Sequence, residues 1–311
     1  MRKKVIWLGR VLCFLLFAMV LPVGCSSDPS DTKEVIISDT NVASQSAADS
    51  SDDLSINEDS AVSANITIEE QALVDQNDII ITAKEYISDS IWGDGIKVLL
   101  ENNSDKDVMV GCNALIVNDY MITDLFASEI AAGKKANDTI YLSSSELEAA
   151  GIDTVGKIEV YFHIFDAASY DKIFDSDCVT IQTSEYANMD TTPNNAGKEL
   201  YNEGGIRIVG KTVDENSFWG TAILLYCENT SGGKVGISVD DMSVNGFMMS
   251  PLFSTTVYNG KKSIDDITIF SSELEENGIE SIEEIELKFH IYDADTFSTI
   301  TDTDPIKFSV N

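Results

Sequence analysis

Shifted by 127 residues, the chain falls on itself: positions 79–181 align with 206–308 without a gap, and about 38 of the 103 pairs are identical. Trp92-Gly93 meets Trp219-Gly220, Gly133-Lys134-Lys135 meets Gly260-Lys261-Lys262, and Phe162-His163-Ile164 meets Phe289-His290-Ile291. A period above about 100 residues marks a duplicated domain, because solenoid units recur every 20–50 residues. Whatever fold the first copy adopts, the second must share. The segment between the copies holds Pro193, Asn194, Asn195 and Gly197 and reads as a linker.

Each copy reads as strands. Ile158, Val160, Phe162 and Ile164 alternate with Glu159, Tyr161, His163 and Phe165, a period of two, and 285–292 repeats the alternation. Gly95–Glu101 and Val108–Val117 are further strands, and Asn118-Asp119 and Asn245-Gly246 sit where hairpin turns belong. Ile140–Leu142 precedes one short helix, with Ser143 or Ser144 at its start, Glu146 in its first turn and Gly151 at its end. With 79–86, 120–126 and 172–182 this makes about seven strands per copy, the number of an immunoglobulin-like sandwich. The expected fold is all-β: two tandem immunoglobulin-like β-sandwiches, each with one short helix. A small Greek-key barrel is the competing architecture.

Ahead of the copies the chain changes character twice. Residues 1–24 carry Arg2, Lys3, Lys4 and Arg10, no acid, and an apolar run from Val11 to Val23. Thirteen apolar residues are too few to span about 30 Å of hydrocarbon. A basic start, a short apolar run and then small residues form a signal-peptide pattern. Residues 25–78 hold 13 acids against Lys33 alone and show no apolar periodicity, so a disordered, self-repelling acidic tether is expected there. The expected organisation is therefore 1–24 signal peptide, 25–78 tether, 79–184 first repeat, 185–204 linker and 205–311 second repeat.

Charge narrows the partners. The chain has 20 Lys+Arg and 53 Asp+Glu, a net charge of -33. Such a field disfavours nucleic acid, whose binding needs local positive charge.

Leu21-Pro22-Val23-Gly24-Cys25-Ser26-Ser27 resembles the lipobox of bacterial lipoproteins, in which the Cys becomes the lipidated first residue; Pro22 departs from the usual Leu three places before it. The resemblance implies a lipid anchor at Cys25 and an exported protein held on the outer side of the cell membrane; ordinary cleavage and free secretion is the alternative. The repeats, through Glu101-Asn102-Asn103-Ser104, a Val-Asn before a turn and a Gly-Lys-Lys before a strand, resemble the telokin-like, immunoglobulin-fold modules of Gram-positive lipoproteins. These are similar in style to the mycobacterial immunoprotective extracellular antigen, and the resemblance implies no catalytic residue.

Candidate site residues are few. His163 and His290 stand at equivalent positions on the outward strand parity, with no Cys or second His at ligand spacing, so zinc is not supported. Asp175, Asp177, Asp302 and Asp304 form two repeated acidic loops able to offer oxygens to calcium, although such residues are also ordinary turn formers. Trp92 and Trp219 either cap a sandwich end or offer an aromatic face to a glycan or protein. Cys112, Cys178 and Cys227 align with Val239, Pro305 and Leu100, which makes them small buried hydrophobes; a Cys112–Cys178 bridge is the alternative. No cofactor, resident metal or catalytic group is expected. The functional expectation is a lipid-anchored binding protein for an extracellular protein or glycan. The alternative is a structural spacer or accessory subunit of an envelope complex.

Overall fold

The computed structural model describes residues 32–36, 66–89 and 93–310. Residues 1–24, expected to be a signal peptide, Cys25 and Trp92 lie outside the described residues. The chain forms β1 (Thr32–Ile36), then two series of ten strands. The first is β2 (Gln71–Gln76), β3 (Ile79–Asp89), β4 (Gly93–Asn102), β5 (Val108–Val117), β6 (Tyr120–Ile122), β7 (Ala127–Ile130), β8 (Lys135–Tyr141), β9 (Lys157–Asp166), β10 (Lys172–Asp175) and β11 (Val179–Gln182). The second is β12 (Lys198–Glu203), β13 (Ile206–Ser217), β14 (Gly220–Asn229), β15 (Val235–Val244), β16 (Phe247–Met248), β17 (Ser254–Val257), β18 (Lys261–Phe270), β19 (Glu284–Asp293), β20 (Thr299–Asp302) and β21 (Ile306–Val310). Helices α1 (Ser144–Ala150) and α2 (Ser271–Glu276) follow β8 and β18. Strand for strand, the two series differ by the same 127 positions.

Each series builds an immunoglobulin-like sandwich. In the first, β2-β3-β4-β8 form one sheet, while β5 pairs with β6, β7 and β9, and β9 with β10 and β11. The second repeats this pattern with β12-β13-β14-β18 and with β15, β16, β17, β19, β20 and β21. The inward parity read from the sequence holds: Ile158, Val160, Phe162 and Ile164, and Ile285, Leu287, Phe289 and Ile291, are all fully buried. The two inner faces enclose one apolar core per sandwich, which decides for two packed sheets over a closed barrel.

Three boundaries need correction. The segment read as tether contains β2, because Leu73 and Val74 are buried against the first core and their strand pairs with β3. Its acidic neighbours hide that short apolar pair from a composition argument. The tether also supplies β1, which pairs with β13 and β21. Finally, the linker contains β12, paired along β13 as β2 is along β3. The strand count rises from seven to ten because β2 is added, 172–182 splits into β10 and β11, and the strand expected over 120–126 stops at Ile122, with β7 following as a separate strand at Ala127.

The motifs behind the family resemblance are backbone staples. Buried Asn102 donates from Nδ2 to the carbonyls of Lys106 and Ile130 (2.7 and 2.9 Å), and its Oδ1 accepts from Ser104 N–H and Oγ–H (3.0 and 2.7 Å). Asn229 does the same with Gly233, Val257 and Ser231. Asn118 and Asn245 take left-handed backbone (φ 47° and 49°) and tie the β5–β6 and β15–β16 turns to the start of β9 and β19. In α1, Ser143 occupies the cap position without a side-chain cap bond, and Gly151 closes the helix at φ 73°.

The sandwiches meet through β6 and β18, which pair in parallel at Lys262–Tyr120 and Ser263–Met121. Lys261 reaches Asp119 Oδ1 (2.7 Å) and Glu159 Oε2 (2.5 Å), and Lys157 joins the same carboxylates at 2.7 and 3.3 Å. Lys261 is only 13 % exposed at its side chain, so it joins the repeats rather than facing solvent. Burial opposes ionisation of Asp119, but hydrogen bonds from Lys157 and Lys261 outweigh it and hold the carboxyl below its ordinary range. Among the described residues no helix is long and apolar enough to cross a membrane.

Candidate functional site

The outward face of β9 carries Tyr161, His163 and Phe165. His163 lies between Gly111 on β5 and Asp175 on β10. A Cβ on Gly111 would sit 2.5 Å from His163 Nε2, so the ring lies over the strand only because glycine leaves room. His163 Nδ1 is 2.9 Å from Asn113 Oδ1; an amide oxygen only accepts, which puts the proton on Nδ1. Asn113 Nδ2 in turn donates to Asp175 Oδ1 (3.1 Å), and Lys172 Nζ donates to Asp175 Oδ2 (3.0 Å). Burial pushes the His163 pKa down against the pull of Asp175 and Asp124, leaving the imidazole neutral near pH 7.

Aromatic rings continue this row. Phe165 lies 5.4 Å from His163, and Tyr170 lies 6.0 Å from Phe165, centroid to centroid. Tyr170 is 75 % exposed and has φ 60°, a left-handed backbone uncommon for a bulky residue. Asp166 holds it there: its Oδ1 accepts the N–H groups of Ala168 and Ser169 (3.0 Å each), and its carbonyl accepts Tyr170 N–H (2.8 Å). The N–H of Ser169, the Lys106 ammonium and the N–H of Ala168 together pull the Asp166 carboxyl down to about 2. An open cleft of about 420 Å³ lies along Asn113, His163, Phe165, Tyr170, Lys172 and Asp175.

The second repeat rebuilds the row from partly different residues. His290 stacks on Tyr292 (5.4 Å) and Tyr292 on Phe297 (6.1 Å). Phe297, 64 % exposed at φ 59°, sits in a turn held by Asp293, which accepts from the N–H groups of Asp295 and Thr296. The clearing glycine is now Gly236, paired with Tyr292; a Cβ there would lie 2.2 Å from the ring. Where the first repeat has Asn113, the second has Asp240. Asp240, His290 and Asp302 bring ligand atoms within 4.8 Å of one another, with His290 Nδ1 2.5 Å from Asp302 Oδ1. One imidazole and two carboxylates are donors that a divalent cation accepts, and the Asn113 amide removes that set from the first repeat.

Of the residues singled out in the sequence, His163 joins Asp175 and His290 joins Asp302. Asp177 and Asp304 stay outside both groups. Between the paired acids, Ser176 and Thr303 turn their hydroxyls inward to accept the N–H of Phe162 and Phe289 (2.9 Å each). Trp219 does not cap the sandwich: it sits at the β13–β14 turn, 56 % exposed, with Phe218 perpendicular to it at 4.8 Å. Cys112, Cys178 and Cys227 are all free thiols, so the Cys112–Cys178 bridge does not form; burial pushes the Cys112 and Cys227 thiols up, keeping them protonated. Cys178 is exposed, against the expectation of burial. Alternation alone puts Phe165 and Tyr292 on the outward parity, while Tyr170 and Phe297 escape sequence reading, although Asp-Ala, two further residues and then an aromatic recur at Asp166–Tyr170 and Asp293–Phe297.

No family model and no curated protein matches this chain. Among solved structures, the YadV chaperone is 12% identical over 73% of this chain and 98% of its own, with a TM-score of 0.23. The Salmonella enterica SafA pilin in complex with the SafB chaperone gives 12% identity over 69% and 88%, TM-score 0.21. A protein of unknown function from Porphyromonas gingivalis gives 10% identity over 78% and 97%, TM-score 0.21. Likeness at this level carries nothing about this chain's chemistry.

Proposed function

We propose that this chain is a lipid-anchored, extracytoplasmic, non-catalytic binding protein whose two sandwiches each offer one ligand face, the His163–Phe165–Tyr170 and His290–Tyr292–Phe297 rows. One observation carries this reading. Gly111 and Gly236 are not counterparts under the 127-residue shift, yet each clears a strand beneath a ring of its row. The two copies thus keep an exposed aromatic row by separate means. Exposed rings in strained backbone cost stability, and such outliers cluster at ligand sites. Rings flanked by amide, imidazole and carboxylate groups suit a sugar face or a peptide side chain. The test is retention of the mature chain on a panel of immobilised cell-wall polysaccharide fragments, soluble glycans and extended peptides. At least one probe should be retained with micromolar affinity; none retained contradicts a binding role.

The spacer reading is favoured by a different observation, the Lys261–Asp119–Glu159–Lys157 junction with its β6–β18 pairing, which fixes one repeat on the other. Anchoring is tested separately: Cys25→Ala should release the protein from the membrane fraction, and retention there contradicts it.

A further inference from the structure

Repeat symmetry exposes a missing piece in the second sandwich. In the first, the residues entering β2 cross from one sheet to the other: Ile68 bridges Thr183 beside β11, and Thr67 is bonded to Ser184 through both its N–H and its carbonyl. The counterpart of Thr67 is Asn194, and it is diverted. Its N–H donates to the Tyr120 hydroxyl (2.8 Å), its Nδ2 to the Ala149 carbonyl (2.9 Å), and its own carbonyl accepts Lys211 Nζ (2.8 Å). The linker therefore serves the first repeat before β12 covers β13 from Ile206 to Gly210, and it leaves Val310 at the end of β21 without the partner that Ile68 gives Thr183.

Thr32–Ile36 takes that place. Thr32, Lys33 and Glu34 pair antiparallel with Asp214, Val213 and Thr212 of β13, after which Val35 and Ile36 pair with Val310 and Ser309 of β21. Val310 is the counterpart of Thr183, so Val35 stands where Ile68 stands in the first repeat. The antiparallel partner at Val310 is that of the first copy, supplied from more than 150 positions upstream, although β1 crosses from β13 to β21 whereas the first copy crosses from beside β11 to β3. An open edge would present unpaired N–H and C=O groups to any passing strand. Occupation in cis is favoured because the 29 residues from 37 to 65 join β1 to the first repeat, which is itself paired with the second through β6 and β18, so donor and acceptor meet at high effective concentration.

We propose that the β13–β21 edge is a strand-acceptor site whose resident is the chain's own Thr32–Ile36, and that this docking holds the C-terminal repeat, not the N-terminal one, close to the anchor. The second clause rests on the lipidated Cys25 proposed above. Its basis is chain length. Cys25 to Thr32 is seven residues, a reach of at most about 25 Å, whereas Cys25 to Gln71 is 46 residues, at most about 165 Å. A docked β1 converts a long leash to the first repeat into a short one to the second.

Cross-strand thiols test the first clause in the full chain, in a Cys178→Ser background that removes the exposed native thiol. Glu34→Cys with Thr212→Cys should form an intrachain disulfide under mild oxidation at least ten times faster than Glu34→Cys with Glu85→Cys, the same position in the first repeat. Equal rates for the two pairs, or a 34–212 product that is only interchain, overturns the cis assignment; the latter would make a second copy the resident. For the second clause, a dye at Glu148→Cys or at its counterpart Glu275→Cys in the lipidated protein reports energy transfer to acceptor-labelled membrane. Transfer should be several-fold stronger from 275, and the difference should vanish with Glu34→Pro. Stronger transfer from 148 overturns the clause. Release of the native chain from membranes would defeat the anchor and this clause with it, while the disulfide result would still decide the strand site.

Discussion

At the scale of single residues, the two copies agree most closely where a side chain replaces backbone partners. Asn229 is fully buried and makes four hydrogen bonds, all to one turn and one neighbouring strand end. Asn229→Ala should cost about 2–4 kcal/mol in denaturant melts, because buried backbone groups are left unpaired. Asn102→Ala should cost the same in the first repeat. Asp265 is the opposite case. Burial raises its pKa, and its Oδ2 has no hydrogen-bond partner. A carboxyl raised in the fold stabilises below its ordinary range and loses that contribution as pH rises through its folded value. Asp265→Asn should therefore stabilise by about 1 kcal/mol at pH 7 and by nothing near pH 3. A melting temperature unchanged at pH 7 contradicts it.

At the scale of strands and turns, the sequence was legible wherever one face is buried. The alternation along β9 and β19 sorts inward Ile, Val and Phe from outward His and Tyr without further help. It was illegible where pairing does not depend on burial. β1 is placed by backbone partners contributed from far along the chain, and β2 and β12 carry little of the apolar alternation that marks a strand. The candidate face was half legible. Repetition picks out His163 and His290, whereas Tyr170 and Phe297 emerge only once Asp166 and Asp293 are seen to hold their turns. Gly236→Ala tests that arrangement at its own scale. A methyl 2.2 Å from the Tyr292 ring must displace it, at a cost of about 1–3 kcal/mol and with loss of near-ultraviolet dichroism from the stack. Full retention of both signals would show that the ring does not rest there.

At the scale of the whole molecule, the acidic chain concentrates cations where the repeats join. Lys157 and Lys261 face Asp119 and Glu159 in a half-buried cluster. The Asp119 carboxyl, held low by those lysines, contributes stability that is present above its ordinary value near 4 and is lost as pH falls through its folded value. Calorimetry should show one cooperative transition at pH 7 and two below about pH 4, with Lys261→Ala separating them at neutral pH. A single transition in Lys261→Ala would place the coupling elsewhere, in the β6–β18 pairing.

The central claim is that the repeated aromatic rows are ligand faces, and it meets its most direct test in the affinity of the best-retained probe for three variants of the mature chain: Tyr170→Asn, Phe297→Asn and the double variant. Asparagine accepts left-handed backbone, so the turns survive while the rings are removed. The account predicts at least a tenfold loss of affinity in the double variant, a smaller loss in each single one, and melting temperatures no lower than the native chain's. Undiminished affinity in the double variant would contradict it.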